Sequence, residues 1–420
     1  MADVERACLI AYQNADPPRL AEASAWLLAL QRSPHIIPMA RALFESQYPV
    51  VQFFAATSVY AKVRQQWSSM NDEMQSATCT WLFQLLQAQQ GTNSFVTSRL
   101  CLAIAASAVR SLSVGKWLTV MDDLFALVNV HNSLLPSIVE VLGSMPEEAE
   151  ASFFTLRERQ RIVTALRSGM PAFMALTARA LEMQSPVELR TKVLTALTKW
   201  IRFGGAFDSA TLMYQHDALF TLVFAHLTHA PLGRLAADLL MEVQAAPLSP
   251  EQRAHLLRRI LGLRELFAHA QRTGHADVCV QVARLAAAYG EAHASDVADG
   301  SVEAQALTAM LLDCLAHSAH AVAVATLDFW TALAEAICAG SAGTRELYAP
   351  VAAQAVRYML QMCAYPANFT DWAKVRVHVR VHLALTKARL RKTRTSGADG
   401  ASWWRRRCQQ CCRFWAQPMW

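Results

Sequence analysis

Two pairs of residues have types and spacings that could support chemistry. His226 and His229 stand three positions apart, a spacing at which two imidazoles on one helix can share a metal ion. No carboxylate or cysteine nearby completes a ligand set, so we expect solvated or core-edge histidines. Ser113 and Lys116 match the Ser-x-x-Lys of serine acyl-enzymes, but the companion motifs of those enzymes are missing. The sequence also lacks a phosphate loop, a dinucleotide glycine fingerprint and a zinc-protease motif. It therefore predicts no catalytic residues, no metal and no cofactor.

Composition indicates what kind of elements must be present instead. With 54% hydrophobic and 17% charged residues, the chain can bury a large core. Gly and Pro number only 15 each, and apolar residues recur in long blocks, which favours helices over strands. Seven of the ten cysteines stand singly in predicted helices, as in reduced intracellular proteins. We expect no signal peptide and no membrane insertion, since the longest uncharged stretch, 74–98, is rich in Gln, Ser and Thr.

Capping signals and apolar stripes mark the helices. Over residues 187–201, one face collects the apolar side chains Val187, Val193, Leu194, Leu197, Trp200 and Ile201. Ser249 and Ser301 are predicted N-caps, and Gly274 is a predicted helix stop. These signals predict the helix pairs 3–14 with 18–33, 35–46 with 48–67, 70–89 with 94–112, 116–128 with 134–145, 157–182 with 185–203, 209–227 with 232–246, 250–273 with 276–298 and 301–318 with 321–339, then a single helix, 345–363.

The second helices of these pairs end at an average step of about 45 residues, which is the period of HEAT-type repeats. No linker rich in Gly, Ser or Pro divides the first 370 residues. The predicted fold is therefore all-α, a right-handed α-α superhelix of HEAT/ARM-like repeats with about eight helix pairs plus one helix. A general helical bundle is the alternative at this stage.

One part of the sequence resembles a known family. The stretch comprises Ala21 to Leu27 with its Trp-Leu pair, Gln31 to Ser33, and the helix Val51 to Ala56 that continues through Tyr60, Lys62 and Trp67. It resembles the N-terminal domain of the importin-β, or karyopherin-β, family. Further matches resemble the branch that contains transportin-SR and importin-thirteen: Cys101 to Ala105, Leu135 to Glu148, Arg190 to Leu194 with Trp200, Ala283 to His293, and Phe329-Trp330. The resemblance runs from about residue 4 to Pro366.

The resemblance implies a nuclear import receptor that shuttles between nucleus and cytoplasm. Its partners would be the GTPase Ran in the GTP form, a protein cargo such as an Arg/Ser-rich or other basic protein, and the Phe-Gly repeats of nucleoporins, with no direct nucleic-acid binding. Because members of this branch are longer, the chain looks like a truncated form. The implied domains are 1–112 for Ran binding, 113–366 for further repeats, and 367–420 as a tail. The alternative is a HEAT scaffold not regulated by Ran, such as a phosphatase regulatory subunit or a vesicle-coat adaptor.

Two sets of residues follow from this interpretation. The Ran-binding candidates are bases and an amide on polar positions of second helices: Lys62, Arg64, Gln65, Arg99 and Arg110. The predicted structural core contains Trp26, Phe53, Phe54, Trp67, Trp200 and Trp330, which fall on apolar helical stripes.

The C-terminal segment differs from the rest in charge. Twelve of the 39 basic residues lie from Asp371 onward against two acidic ones, which leaves 27 basic and 31 acidic residues before it. The segment also carries Trp403-Trp404, Cys408 and Cys411-Cys412. It could be a basic nuclear-localisation or RNA-binding segment, half of a zinc site, or an aberrant end produced by a shifted frame, a retained intron or an alternative exon.

Overall fold

A computed structural model describes residues 2–12, 17–88, 94–150, 154–182, 184–203 and 215–363. The predicted tail, 367–420, lies outside them. The chain divides into two compact units, Met1–Leu256 and Leu257–Trp420. The helices of the first unit are α1 Ala2–Tyr12, α2 Pro17–Gln31, α3 Ile36–Leu43, α4 Pro49–Gln66, α5 Asp72–Ala88, α6 Ser94–Ser113, α7 Val120–Val130, α8 Leu135–Ala149, α9 Leu156–Ala180, α10 Val187–Arg202, α11 Asp217–Ala225 and α12 Ala230–Gln244. Then follow α13 Pro250–Leu261, α14 Arg264–Thr273, α15 Ala276–Ala292, α16 Ala294–Ala298, α17 Val302–Leu315, α18 His320–Val324, α19 Leu327–Ala339 and α20 Ala342–Cys363.

The second helix of each pair in the first unit packs on the second helix of the next pair. Helix α4 packs on α6, α6 on α8, α8 on α10, and α10 on α12. Helices α4 and α6 run parallel, because Phe53 meets Phe95 near their starts and Arg110 reaches the Arg64 carbonyl near their ends. A stack of this kind is the arrangement of a HEAT-type solenoid, so the predicted all-α repeat fold is confirmed.

The first helices form a second layer against this stack. Helix α5 packs on α6, α7 on α8, and α9 on both α8 and α10. The core between the layers is closely packed: a Cβ added at Gly143 of α8 would lie 2.8 Å from the Ala196 Cβ of α10. Only glycine at position 143 therefore allows these two helices to approach so closely.

In the second unit α15 is the central helix. It packs on α14, α17, α18 and α19, while α20 covers α17 and α19. The side chains of Phe329 and Trp330 are fully buried and form an edge-to-face pair with centroids 5.0 Å apart.

The predicted helix signals at Ser249, Ser301 and Gly274 are confirmed, and three predicted helices are divided. The Ser301 hydroxyl accepts from the Ala304 N–H, the Ser249 hydroxyl accepts from Gln252, and Gly274 ends α14 with φ +78°. The predicted helices 250–273, 276–298 and 321–339 each break into two, at 262–263, at His293 and at 325–326. Helix α15 is therefore followed by a short extension, α16, that packs on α19.

The structure buries most of the predicted core but not Trp26. Phe54, Trp67, Trp200 and Trp330 are buried, and Phe53 is half-buried. Trp26 is 43% exposed, so its placement in the core was wrong. The buried stripe of α2 runs through Ala23 and Leu27, and Trp26 is offset from that stripe by one residue, about 100° around the helix.

Within the described residues, two segments are long and apolar enough to cross a membrane by composition alone. They are Ser94–Ser113, which is mostly buried in the protein, and His320–Ala339, which is less buried. The first of these is the central helix of the solenoid stack, where an apolar composition serves the core. Such segments also occur in soluble repeat proteins, and two of them are weak support for a membrane protein.

Candidate partner-binding surfaces

An aromatic row lies on the surface at the starts of α4 and α6, beside the end of α1. We define it as Tyr12, Phe53 and Phe95, which come from α1, α4 and α6. The Phe53 ring makes edge contacts with Tyr12 at 6.1 Å and with Phe95 at 5.6 Å between centroids. Tyr12 and Phe95 are exposed, and the Arg99 guanidinium lies 5.4 Å from the Phe53 centroid. Aromatic rings with an arginine over them are a common composition for the centre of a protein interface.

Toward the ends of the same helices, a buried network joins three second helices. The Arg110 guanidinium of α6 donates to Glu148 Oε2 of α8 at 3.0 Å and to the Arg64 carbonyl of α4 at 3.2 Å. The Tyr60 hydroxyl of α4 donates to Glu148 Oε1 at 2.7 Å. Burial lowers the pKa of Arg110, and burial followed by the bond to Glu148 raises the pKa of Tyr60. These buried hydrogen bonds therefore hold α4, α6 and α8 together.

The five predicted Ran-binding residues therefore fall into two groups. Arg64 and Gln65 are exposed and Arg99 is half-buried beside the aromatic row, so all three can touch a partner. Lys62 and Arg110 are buried instead. Lys62 Nζ donates to Gln66 Oε1 at 2.5 Å and lies 3.5 Å from the Ser33 carbonyl. Their expected position on an exposed polar face was wrong, because a polar residue between packed second helices can be paired internally.

The first-helix layer carries a groove between α5 and α7. Its volume is about 820 Å³, and its walls include Cys79, Phe83, Trp117, Leu127 and Val130. Phe83 and Trp117 meet edge to face at 5.2 Å, and the Trp117 indole N–H donates to Asp123 Oδ2 at 2.7 Å. Trp117 has φ +51°, a left-handed conformation that costs energy for a bulky residue and is typical of binding sites.

Four of these aromatic residues were not predicted from the sequence: Tyr12, Phe95, Phe83 and Trp117. A signal existed for Phe95, since it stands four residues before Arg99 and thus on the same helical face. No comparable signal existed for Trp117, whose position depends on how the turn after α6 places it against α5.

The two histidines do not form a metal site. His226 begins a short 3₁₀ turn and His229 follows it, and His226 is fully buried. Its Nδ1 lies 2.7 Å from the Leu222 carbonyl, and its Nε2 lies 3.3 Å from Arg190 Nη1. Since Arg190 can only donate, Nε2 accepts and Nδ1 carries the proton. In the described part of the chain, no three metal-ligating side chains come together.

Comparison with known proteins gives two family matches. Residues 93–240 match the sequence model of the exportin 1-like protein family. Residues 275–361 match the model of the transportin-3/importin-13 second TPR domain.

Curated relatives and a solved structure agree with these matches. Importin-13 of Bos taurus and importin-13 of Homo sapiens are each 24% identical over 389 residues, which is 87% of this chain and 40% of the relative. An importin-13 homolog A of Dictyostelium discoideum is 28% identical over 159 residues, 36% of this chain and 15% of the relative. The structure titled "Importin13 cytosolic state" superimposes with a TM-score of 0.58 at 17% identity, covering 76% of this chain and 38% of that one.

Proposed function

We propose that the chain is a member of the karyopherin-β family, in the branch of importin-13 and transportin-3, and that it is a nuclear transport receptor that binds Ran in the GTP form and a protein cargo. The chain spans about 40% of the length of the importin-13 relatives. In this proposal the chain acts as a receptor without catalytic residues and moves between cytoplasm and nucleus.

The observation that carries the Ran proposal is the aromatic row with its arginine. Arg99 is held over Phe53, and Arg64 and Gln65 are exposed farther along the same stack of second helices. A rigid apolar strip flanked by cations can bury aliphatic side chains of a GTPase while its bases pair with acidic ones. We therefore assign Ran contact to Arg64, Gln65, Arg99, Phe53 and Phe95, and assign Lys62 and Arg110 to the internal structure that supports them.

The groove between α5 and α7 is the proposed site for nucleoporin Phe-Gly repeats. Phe83 and Trp117 provide an edge-to-face pair against which a phenylalanine ring could pack. A volume of about 820 Å³ exceeds what one aromatic side chain needs, so a short peptide backbone could enter as well.

Cargo is proposed to be basic. The residues before Asp371 carry 27 basic and 31 acidic side chains, so this part of the chain has a net negative charge that favours positively charged partners. Arg/Ser-rich proteins are one such class.

The test of the Ran proposal is direct binding. The purified chain would be titrated with Ran carrying a non-hydrolysable GTP analogue and, separately, with Ran carrying GDP. We expect binding selective for the GTP form. The double variant Phe95→Ala/Arg99→Glu should weaken it at least tenfold, or about 1.4 kcal/mol. The charge-matched control is Arg179→Glu, which changes an exposed arginine near the end of α9, away from the aromatic row.

The outcomes separate the receptor proposal from the assignment of the surface. Binding that the double variant leaves intact would keep the receptor and move the Ran site elsewhere. No binding by a chain that circular dichroism shows to be folded would refute Ran binding by this chain and favour a HEAT scaffold.

A further inference from the structure

A second cleft lies on the first-helix layer, beside α9. We call it the basic cleft; it has a volume of about 510 Å³ and is lined by Leu118, Arg157, Gln160, Arg161, Thr164, Ala165 and Ser168. All but Leu118 come from α9, at spacings of three and four residues that place them on one helical face. Leu118 comes from the turn after α6 and is 67% exposed. The cleft therefore combines two arginines with an apolar wall.

The charge of this cleft is not balanced by its lining. Arg157 and Arg161 contribute two positive charges, and none of the lining residues is acidic. The nearby Glu158 carboxylate accepts from the Thr155 N–H at 2.8 Å and from the Thr155 hydroxyl at 2.7 Å in a capping box, and from there it offsets only part of the charge of Arg161. These bonds lower the pKa of Glu158 and hold it at the helix cap.

The arginine donors of the basic cleft are held in place and still have N–H groups available for a ligand. Arg161 Nη1 donates to the Ser113 carbonyl at 3.0 Å, which fixes the side chain, and a guanidinium has four further N–H groups. The hydroxyls of Thr164 and Ser168 donate to the backbone carbonyls of Gln160 and Ala165. Recognition of an anion would therefore fall to the two arginines and the Gln160 amide.

The position of Arg157 argues for a role beyond helix stability. It stands in the first turn of α9, where the partial positive charge of the helix N-terminus disfavours a cation and favours Asp or Glu. A residue that opposes its local preference is expected where it serves binding. Arg159 stands in the same turn region and adds to the positive field.

We propose that the basic cleft binds acidic side chains of an extended peptide segment from a partner protein. The charge of the cleft selects a negative occupant, and the two arginines, one turn apart, can pair with two carboxylates or with one carboxylate bidentately. The exposed Leu118 adds apolar contacts that a free inorganic anion could not use. This surface is distinct from the aromatic row and from the groove between α5 and α7.

The test is fluorescence anisotropy with the full chain. The probe is a short labelled peptide in which glutamates alternate with glycine and serine, and the reference probe has glutamine in place of each glutamate. Arg157→Glu is the informative variant, because an acidic residue in the first turn should leave the helix as stable or more stable. Arg179→Glu makes the same charge change on the same helix outside the cleft.

We expect Arg157→Glu to weaken binding of the acidic peptide roughly tenfold or more, and Arg179→Glu to change it little. Arg161→Lys keeps the charge but loses the planar guanidinium that can pair bidentately, so its affinity for the acidic peptide should lie between those of the two charge-reversal variants. Equal affinities in the two charge-reversal variants would overturn the proposal, since the peptide would then be held by the basic C-terminal segment or by net charge alone. Equal binding of the glutamine peptide, or complete displacement by millimolar inorganic phosphate, would overturn it as well.

Discussion

Two sets of three consecutive second helices, which we call joints, are linked by ion pairs of the same residue types. The side chains of these ion pairs differ in exposure. The first joint, α4–α6–α8, centres on Arg110 and Glu148, whose side chains are 4% and 6% exposed. The second joint, α8–α10–α12, carries surface ion pairs: Lys192 with Glu140, Lys199 with Glu147, and Arg202 with Glu242. In the pair Lys199–Glu147 the side chains are 28% and 56% exposed.

The exposure of the ion pairs decides how much each joint contributes to the free energy of unfolding. A surface ion pair is worth little because water and salt screen it. A buried pair is expensive to desolvate, but once it is formed, removal of one partner leaves a buried charge uncompensated. The first joint should therefore be intolerant of change, whereas the second should depend on its apolar packing.

The largest expected effect is the loss of Glu148. Glu148→Ala leaves Arg110 buried without its carboxylate and removes the acceptor of the Tyr60 hydroxyl. We expect the free energy of unfolding to fall by about 3–5 kcal/mol. Urea denaturation followed by circular dichroism measures it, and Glu147→Ala on the same helix is the control, with an expected loss below about 1 kcal/mol.

A double variant distinguishes lost attraction from uncompensated charge. Arg110→Met/Glu148→Leu removes both charges and keeps similar volumes, so it should be closer to the parent than Glu148→Ala alone. If Glu148→Ala and Glu147→Ala cost the same, the two joints do not differ and the comparison fails.

The second joint should be as sensitive in its apolar part as the first is in its charges. Trp200 of α10 is fully buried, stacks on Phe173 at 4.5 Å, and donates its indole N–H to the Leu142 carbonyl of α8 at 2.8 Å. Trp200→Ala should cost about 3–5 kcal/mol. Trp26→Ala removes an exposed tryptophan and should cost less than about 1 kcal/mol by the same urea titration. Comparable losses in the two variants would mean that Trp26 is buried in solution.

The repeat fold was largely predictable from the sequence, because caps and periodicity are local signals. Ser249, Ser301 and Gly274 mark real helix ends, and the helix pairs follow from their spacing. The breaks within the predicted helices were missed at 262–263 and at 325–326, where no proline marks the end. A glycine, Gly262, stands at the first of these breaks, but an isolated glycine is also tolerated inside helices and so did not identify the end.

The surfaces were harder to predict, because the sequence does not show which polar residue of a second helix is covered by the next repeat. Arg64 and Arg110 have similar local contexts, yet one is exposed and the other is buried against Glu148, 38 positions farther along. Pairing across that distance is a property of the stack. The same holds for Trp117 in the turn after α6, which meets Phe83 of α5, 34 positions before it in the sequence.

A smaller effect is expected from the titration of His226 near the second joint, which makes the free energy of unfolding depend on pH. Burial, with smaller contributions from Arg190 and His229, lowers the pKa of His226 below its ordinary value of 6.5. Between the lowered pKa and 6.5 the unfolded chain binds the proton and the folded chain does not, so stability must fall as the pH drops through that window. Urea titrations at a series of pH values should show this decline. His226→Gln, which cannot titrate, should lose part of it, whereas an identical pH dependence in the variant would assign the decline to other groups.

The smallest expected effect is the coupling between Lys199 and Glu147. The Lys199 Nζ lies 2.9 Å from Glu147 Oε2, yet both side chains are partly in water. A double-mutant cycle with Lys199→Ala and Glu147→Ala should give about 0.2–1 kcal/mol at low salt and less in 1 M salt, where the Debye length is about 3 Å. A coupling above about 2 kcal/mol that resists salt would mean that this pair is effectively desolvated, and the second joint would then be as rigidly fastened as the first. A small, salt-sensitive coupling would leave apolar packing around Trp200 as the main support of the second joint.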